Sequence, residues 1–543
     1  MLNDKQGEII LCKGVKLDKN YENVLSYSEA SMVTLCDNAK IYRGSNYSLI
    51  GNDGETINVE VPYKDAMYCN YVAFKNPKYG NKWMFGFVTG VKLLNPKVTE
   101  ISWELDVWST WYGSFNIGKA FIEREHVADD TVGKHTLPEN LETGEYVTQL
   151  FANSSLNPVL TNLYYLSDVL IIAAVTALGF TYLIPQNAQN NKYNGVYSGL
   201  RYLAFKTASD LEKFIWNSQQ NLDADNIVNI FMVPASITGL VAADWITTTA
   251  TGDIHYSFEF AFVPTSSSES DMGEVSFPKP NHLDADYVPT NKKLLTFPYC
   301  FLNVTNNAGS VHEYYYEMFN GNTWCDFELR GAIGVGCSIR MYPKNYSVRG
   351  SNTSTVENKL HAIDAGKLPT CPWLNDGYTN WLTQNSVNTP LGIVGSIFSG
   401  VASGGLAGGI VGGFSGIANA VASIFEHSLQ PPTAKGGANQ GDLMFAQRTT
   451  LNGYPMSIKK EYAQVIDKYF SRFGYKINEV KTPTLNTRTQ FNFIKVGGMD
   501  ELISGNIPAT DLEKINEIFR KGVTIFHNYS NIGNYTISNP IRT

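Results

Sequence analysis

The sequence predicts a mainly β protein that carries an inserted α/β domain and one long hydrophobic loop. Short alternating segments such as "TINVEVPY" at 56–63 predict the strands. A buried-type strand, a helix and a second strand follow one another within residues 150–285, which is an α/β signature. The loop is predicted from "LGIVGSIFSGVASGGLAGGIVGGFSGIANAVASIF" at 391–425, which is apolar, glycine-rich and uncharged.

Length and composition agree with this class. A chain of 543 residues is long enough for several domains with their own cores. Apolar residues make up 43% and charged residues only 17%, a balance that suits β-rich extracellular or viral structural proteins. The net charge of -8 argues against a nucleic-acid binder, because phosphate contacts need clustered Lys and Arg. It is compatible with a surface along which DNA slides without sticking.

The cysteines and the first residues indicate the compartment of synthesis. Seven cysteines are scattered without a C-x-x-C pair, which predicts buried thiols in a reducing cytoplasm and no zinc site. The start "MLNDKQGEIILCKGVKL" has no basic region before a long apolar run, so we expect no signal peptide.

The first β region is predicted over 1–149. After "TINVEVPY" come "KWMFGFVTGVKLL" at 82–94, "TEISWELDVWSTWY" at 99–112 and "KAFIEREHV" at 119–127, with Gly, Asn or Pro between them. Regular short strands with turn signals predict a barrel or a sandwich. The polar "HTLPENLETGEYV" connects this region to the next.

The inserted α/β domain is predicted over 150–285. "SDVLIIAAVTAL" is typical of a buried strand, "TASDLEKFIWNSQQN" of a helix, and "DNIVNIFMVP" of a further strand. Strands resume over 286–386, which is the second part of the β region, and the hydrophobic loop is placed at 387–436. Its flexible exit is the Pro- and Gly-rich "QPPTAKGGANQGD".

The C-terminal α+β region, 437–543, holds two predicted helices. In "KEYAQVIDKYFSRFGYK" one face is predicted from apolar spacing, and Gly474 is the stop. The members of that face are Tyr462, Val465, Ile466 and Tyr469. In "TDLEKINEIFRKG" we predict a capping pair, a core face and a terminating glycine. These are Thr510 with Glu513, then Leu512, Ile515, Ile518 and Phe519, and Gly522.

The hydrophobic loop has the composition of a conditional membrane inserter. From Gly377 to Phe425 there is no Asp, Glu, Lys, Arg or His. About a dozen Ile, Val, Leu and Phe residues contribute roughly -4 to -7 kcal/mol to insertion, which glycine, serine and asparagine reduce. Such a segment packs against protein in one state and inserts into a lipid bilayer in another. A buried hairpin packed through glycine and an apolar loop with no lipid role are the alternatives.

Two sets of residues are assigned to this loop. The side chains predicted to contact lipid are Ile393, Ile397, Phe398, Val401, Leu406, Ile410, Phe414, Ile417, Val421 and Phe425. Small-xxx-small spacing predicts close backbone packing at Gly404, Gly408 and Gly412.

Catalytic and cofactor motifs do not emerge from the sequence. "GSFNIGKA" at 113–120 matches a phosphate-binding loop, but Ala120 replaces the Ser or Thr that binds magnesium, and a strand pattern follows. The polar cluster in "EREHVADDTVGKH", at 123–135, allows a metal or acid–base site, or a polar loop with a salt bridge through Arg124. We expect no enzyme activity, no metal and no cofactor.

Several motifs in consistent order resemble one family of proteins. They are "NKWMFGFVTGVKLLNPKVTEISWELDVWSTW", "FIEREHV" followed by "LPENLETGEYV", "NGVYSGLRYLAF" with "DNIVNIFMVP", "IDKYFSRFGYKINEVKTP", "SGNIPATDLEKINEIFRKGVTIFHN" and "NIGNYTISNPI". The chain is similar in these to the tail-knob, or distal tail tube, proteins of small short-tailed, protein-primed (Picovirinae-type) phages of Gram-positive bacteria.

The resemblance implies a function and a set of partners. It implies tail-tube-like β-barrel domains that close into a hexameric ring at the tail tip of the virion, after synthesis in the host cytoplasm. The hydrophobic loops would plug the lumen and, on release, insert into the host cytoplasmic membrane as a channel for DNA. The implied partners are five further copies, the collar or proximal tube and tail-tip proteins, and DNA that passes without specific binding.

Three other functions compete with this one. A receptor-binding or purely architectural tail protein would keep the loop packed. A cell-wall hydrolase would need a catalytic constellation that the sequence does not reveal. A free pore-forming toxin would need a secretion signal.

Overall fold

Alternation of apolar and polar side chains forms the strands that dominate the chain. In the segment Val98–Leu105 every second residue is buried, so one face of the strand packs and the other meets solvent. The segment Trp324–Gly331 has the same alternation.

The architecture is seen in a computed structural model. It describes residues 7–47, 56–75, 80–148, 161–162, 169–176, 192–193, 196–197, 200–207, 210–211, 213–214, 227–234, 246–249, 257–262, 270–306, 309–320, 323–331, 338–346, 360–367, 370–372, 452–498 and 502–542.

The elements are named in chain order. The first strands are β1 (Gly7–Lys13), β2 (Asn23–Leu25), β3 (Lys40–Tyr47), β4 (Thr56–Val59), β5 (Cys69–Lys75), β6 (Trp83–Asn95), β7 (Val98–Leu105), β8 (Asn116–Ile117) and β9 (Ala120–Glu125). The next are β10 (Tyr146–Thr148), β11 (Thr161–Asn162), β12 (Val169–Thr176), β13 (Lys192–Tyr193), β14 (Val196–Tyr197), β15 (Leu200–Phe205), β16 (Ile227–Pro234), β17 (Ile246–Thr249), β18 (Ser257–Phe262) and β19 (Ser270–Pro278). They are followed by β20 (Cys300–Thr305), β21 (Val311–Tyr314), β22 (Trp324–Gly331), β23 (Ser338–Pro343), β24 (Ile363–Lys367) and β25 (Thr370–Pro372). The last are β26 (Asn452–Ile458), β27 (Tyr475–Lys481), β28 (Phe491–Val496), β29 (Ile503–Ser504) and β30 (Val523–Phe526). Among the described residues, the α-helices whose two ends are defined are α1 (Glu29–Ala39), α2 (Tyr63–Ala66), α3 (Val107–Trp111), α4 (Lys460–Phe473) and α5 (Ala509–Lys521).

The chain divides into two units, and both are discontinuous in sequence. The first unit comprises residues 1–143, 289–294 and 461–543. The second comprises residues 144–288 and 295–460. The prediction of a mainly β protein is confirmed. The predicted domain boundaries and the inserted α/β domain stay predictions.

Two larger sheets form the first unit. A six-stranded antiparallel sheet has the order β3-β1-β5-β6-β7-β4. A five-stranded sheet has the order β2-β30-β28-β9-β27, in which β2 and β30 run parallel and the other pairs antiparallel. Strands from the beginning and the end of the sequence therefore lie in one sheet.

The core of the first unit lies between the six-stranded sheet, α1 and the C-terminal segment. Tyr71, Phe85 and Phe87 point from the sheet into this core, and Phe491 and Phe526 enter it from the other sheet. Tyr71 and Phe87 meet edge to face, with ring centroids 5.5 Å apart. Large aromatic side chains therefore supply much of the buried apolar area.

Helices α1 and α3 lie where the sequence predicts mostly strands. Each begins at a polar N-cap: the Ser28 hydroxyl accepts from the Ser31 N–H, and the Asp106 carboxylate accepts from the Ser109 N–H at 3.0 Å. On α1 the buried residues Met32, Leu35 and Cys36 follow helical spacing. The N-cap residues Ser28 and Asp106 are the local sequence signals for these two helices, but the strand-like pattern around them favours strands.

The two predicted C-terminal helices are present, with two corrections. On α4 the buried residues are Ala463, Ile466, Asp467 and Phe470, whereas Val465 is 67% exposed and Tyr462 39%. The predicted apolar face is therefore wrong at Tyr462 and Val465. The buried face is centred instead on Asp467, a polar residue whose partners lie far away in the sequence.

The second correction concerns the start of α5. The helix begins at Ala509 after Pro508, so Thr510 lies inside the first turn and does not cap it. Glu513 instead pairs with Arg520 at 2.6 Å. The core face is confirmed at Ile515, Ile518 and Phe519, with Leu512 half-buried, and Gly522 follows the last helical residue.

Antiparallel sheets make up the described part of the second unit. A six-stranded sheet has the order β17-β18-β15-β12-β16-β25, and a five-stranded sheet joins β10, β11, β20 and β21 through the central strand β26. A four-stranded sheet has the order β19-β22-β23-β24. Within the predicted helix of 207–221, Asp210, Leu211, Lys213 and Phe214 are helical. The Thr207 hydroxyl accepts from the Asp210 N–H at 3.1 Å, as an N-cap does.

Candidate functional site

The residues predicted to act on membranes lie outside the described residues, as do all of residues 373–451. They are Ile393, Ile397, Phe398, Val401, Leu406, Ile410, Phe414, Ile417, Val421 and Phe425, with the glycines Gly404, Gly408 and Gly412. Two separate sets of described residues are therefore considered: the strands that flank this segment in the second unit, and the polar clusters of the first unit.

Both flanks of the segment are strands paired within the second unit. β25, which precedes it, pairs antiparallel with β16, with Thr370 opposite Phe231. β26, which follows it, lies between β20 and the short strands β10 and β11, with Ser457 opposite Cys300. Backbone hydrogen bonds to neighbouring strands therefore hold the chain on either side of the hydrophobic loop.

Among the helices that the structure describes, none combines the length and the apolar character needed to cross a membrane.

The phosphate-loop match at 113–120 has a strand after it. Ala120 opens β9, as the alternation predicts, and the Gly118 N–H donates to the Leu502 carbonyl at 2.7 Å. A phosphate-binding loop needs free backbone N–H groups at the start of a helix. The geometry therefore favours a structural turn.

His126 is a fully buried, neutral histidine. Its Nδ1 accepts from the Phe493 N–H at 2.8 Å, so Nε2 carries the proton and donates to the Ser471 carbonyl at 3.0 Å. Burial, with the nearby Arg488, lowers the pKa of His126 to about 3. The ring links β9 to β28 and to the end of α4.

The other polar residues after β9 pair with protein groups. Asp129 binds Lys134 at 2.5 Å, and Asp130 accepts from the Tyr475 hydroxyl at 2.6 Å. His135 Nε2 lies 2.9 Å from the Asp129 carbonyl. No set of three or more potential metal ligands comes together among the described residues. The arrangement is that of a polar loop held in place.

A buried ionic cluster confirms the predicted salt bridge through Arg124. The Glu139 side chain is fully buried and forms ion pairs with Arg124 and Lys293. It also accepts from the Lys476 N–H at 2.9 Å, and Arg124 donates to the Gly474 carbonyl at 2.7 Å. Burial lowers the pKa of Lys293, and the Glu139 charge opposes that shift. A carboxylate with three donors is satisfied, so its burial is tolerated.

Asp467 on α4 holds the short segment 289–294 in the first unit. Its carboxylate accepts from the Thr290 N–H at 2.8 Å, from the Asn291 N–H at 3.0 Å and from the Asn291 side-chain amide at 2.8 Å. Sequence reasoning missed Glu139, Lys293 and Asp467, because their partners lie far away along the chain and leave no local pattern. All these groups connect elements of the scaffold.

The fold and the matching N-terminal region define the class of the chain. The six-stranded sheet lies within residues 5–116, which match the family model of the caudoviral major tail protein N-terminus. The protein is therefore a phage tail protein.

The chain belongs to the tail knob protein family. Residues 263–540, which are more than half of the chain, match the model of the C-terminal domain of tail knob protein gp9 of Bacillus phage phi29. The predicted resemblance to tail-knob proteins of Picovirinae-type phages is confirmed.

Individual relatives align along nearly the whole length. Tail knob protein gp9 of Bacillus phage phi29 is 25% identical over 97% of this chain and 97% of its own. The corresponding protein of Bacillus phage B103 is 24% identical over 98% of both chains. The solved tail knob protein gp12 of bacteriophage C1 shares the fold, with a TM-score of 0.57 and 15% identity over 99% of this chain and 100% of that one.

Proposed function

We propose that this tail knob protein forms the distal tail tube as a homo-hexamer at the tip of the virion tail. The hydrophobic loop of each copy, residues 387–436, plugs the lumen. On release the loops insert into the host cytoplasmic membrane and form a channel through which DNA leaves the particle. The collar or proximal tube and the tail-tip proteins are the neighbours in the tail, and the chain is made in the host cytoplasm.

The observation that carries the proposal is the absence of charge from Gly377 to Phe425. A membrane excludes charged side chains at a cost of about 2.5–3.5 kcal/mol each at the centre of a helix. Half of this uncharged run, as a helix, would be about 37 Å long, which exceeds the ~30 Å hydrocarbon core. A hairpin of two such arms is therefore long enough to cross and return.

The described strands support a loop that moves while its ends stay fixed. β25 and β26 flank the segment and are paired in sheets, so its release requires no unfolding of either strand. Six copies bound to one particle would also act at high local concentration, which compensates for marginal insertion by each one.

The tube role is supported by similarity and by charge. The match of residues 5–116 to major tail proteins concerns the region that would build the tube wall. The net charge of -8 suits a conduit, because a basic lumen would bind phosphates and retain DNA. The rival is a receptor-binding or purely architectural tail protein whose loop packs and never enters lipid.

Dye leakage from vesicles of phosphatidylethanolamine and phosphatidylglycerol tests the membrane role. The unmodified chain should cause leakage. The double variant Ile397→Asp, Val401→Asp should not, because two carboxylates cost about 5–7 kcal/mol, which cancels the whole insertion energy.

A matched control adds the same two charges elsewhere. Val465 and Val480 are 67% and 70% exposed in the first unit, so Val465→Asp, Val480→Asp should leak like the unmodified chain. Deletion of residues 390–435 should abolish leakage. Equal leakage by all forms would exclude the loop as the active segment and favour the architectural rival.

A further inference from the structure

Three cysteines come together in the core beneath α1. Cys12 lies in β1, Cys36 on α1 and Cys69 at the start of β5, and all three are buried with free thiols. Cys12 and Cys36 belong to one core cluster with Met32, Leu35 and the sheet aromatics. The sequence predicts buried thiols but indicates no pairing among them.

Cys12 and Cys36 are in direct contact. The Cys12 thiol donates to the Cys36 carbonyl oxygen at 3.4 Å. The two residues are 24 positions apart and belong to different elements, so folding alone brings the Cys12 sulfur next to Cys36. Cys69 instead directs its thiol to the Tyr71 carbonyl at 3.4 Å.

We propose that Cys12 and Cys36 form a latent redox site, in which a disulfide bond joins β1 to α1 once the protein has left the reducing cytoplasm. The oxidant is a small-molecule disulfide. Its own S–S bond breaks, the Cys12–Cys36 S–S bond forms, and the two thiol protons and two electrons pass to the reagent, which leaves as two thiols.

Burial explains why the site is latent. The hydrogen bond to Cys36 and desolvation raise the pKa of the Cys12 thiol, and desolvation raises the pKa of Cys69 to about 11. The thiolate is the reactive form, so these thiols react slowly while the helix is docked. Local opening of α1, which packs on the sheet through one face only, exposes Cys36 to the reagent.

The consequence of the bond is a helix that opens less often. Closing a chain loop of 24 positions removes conformational freedom from the opened state, so opening becomes rarer. The amides of α1 should then exchange with solvent at least about tenfold more slowly than in the reduced protein.

The test oxidises the folded full chain with oxidised glutathione and maps its peptides. Trypsin separates the three cysteines into peptides 6–13, 20–40 and 65–75, so the partner of Cys12 can be read directly. We expect peptides 6–13 and 20–40 to be linked, the number of free thiols to fall by two, and dithiothreitol to reverse both changes. Hydrogen exchange of α1 should slow on oxidation and recover on reduction.

Variants separate this pair from the other cysteines. Cys36→Ser should abolish the link, whereas Cys69→Ser and Cys325→Ser should retain it. If Cys36→Ser does not fold, the peptide map of the unmodified chain decides the question. A link between peptides 6–13 and 65–75, or no loss of free thiols on oxidation, would overturn the proposal.

Discussion

His126 is a single residue whose charge state affects the stability of the first unit. Its ring is fully buried, accepts from the Phe493 N–H and donates to the Ser471 carbonyl, an arrangement that only the neutral form can make. Its pKa is about 3 in the fold, against about 6.5 in an unfolded chain. The unfolded state therefore binds the proton first as the pH falls.

The sign of the resulting pH dependence follows from this difference. The stabilisation is fully present above pH 6.5 and is lost as the pH falls from 6.5 toward 3, by about 1.4 kcal/mol per pH unit. We expect the free energy of unfolding to drop by about 2 kcal/mol between pH 7 and pH 5 through His126 alone. Urea unfolding at a series of pH values measures it.

His126→Gln supplies the comparison, because its amide can still donate and accept. It should be less stable at pH 7.5 but should depend less on pH between 7 and 5. His135→Gln is the control: His135 is half-buried on the loop after β9, and its removal should leave most of the pH dependence in place. If the free energy of unfolding varied with pH as steeply in His126→Gln as in the unmodified protein, the pH dependence could not be assigned to His126.

The turn from α4 to β27 has no room for a side chain at Gly474. Gly474 has a φ of +64°, and a Cβ at that position would lie 2.1 Å from the Glu125 carbonyl oxygen. Gly474→Ala combines an unfavourable backbone conformation with a clash against β9. We expect a loss of more than about 3 kcal/mol of stability or a failure to fold, measured by thermal and urea unfolding.

Gly498 provides the matched control for this turn. Its φ is +78°, but a Cβ there meets nothing within 4 Å. Gly498→Ala should therefore cost only the conformational penalty of about 1–2 kcal/mol. Equal losses for the two variants would show that backbone conformation alone matters at Gly474.

Elements could be predicted from the sequence where local patterns decide them. β4, β6, β7, β9 and α4 lie where alternation or helical spacing places them, and Gly474 ends α4 as predicted. α1 was not anticipated, because Ser, Thr and Asn dilute its apolar spacing. The exposure of Val465 could not be predicted either, since the buried face of α4 depends on the contact of Asp467 with segment 289–294.

Less of the candidate site than of the fold could be predicted from the sequence. The uncharged run from Gly377 to Phe425 is evident from the sequence alone. The Glu139 cluster is not, because Arg124, Glu139 and Lys293 are brought together only by the tertiary fold. Long-range ionic contacts leave no periodicity in a sequence.

At the scale of the whole molecule, the proposed ring makes a prediction about mass. In the order of the N-terminal sheet β3 and β4 are the outermost strands, and association into a ring is one way to cover such edges. Native mass spectrometry of the purified protein should give six times 60.2 kDa. A hexameric tube would be contradicted if the protein stayed monomeric, or formed an assembly with a different number of copies, at the protein concentration found in assembled tails.

The discontinuity of the first unit could not be predicted from local sequence. β9 lies between β27 and β28, and Arg124 binds the carbonyl of Gly474, which is 350 positions further along the chain. Only the hydrogen bonds between these strands in the folded structure show that β9 is the neighbour of β27 and β28.

This pairing has a consequence for the nascent chain. A ribosome that adds roughly 5–20 residues per second needs about 20–70 s to travel from Arg124 to Gly474. During that time β9 has neither of its neighbours, so this sheet is completed only when translation is almost finished. A product that ends before Tyr475 would lack β27, β28 and β30, so its β9 would have no partner strand in this sheet.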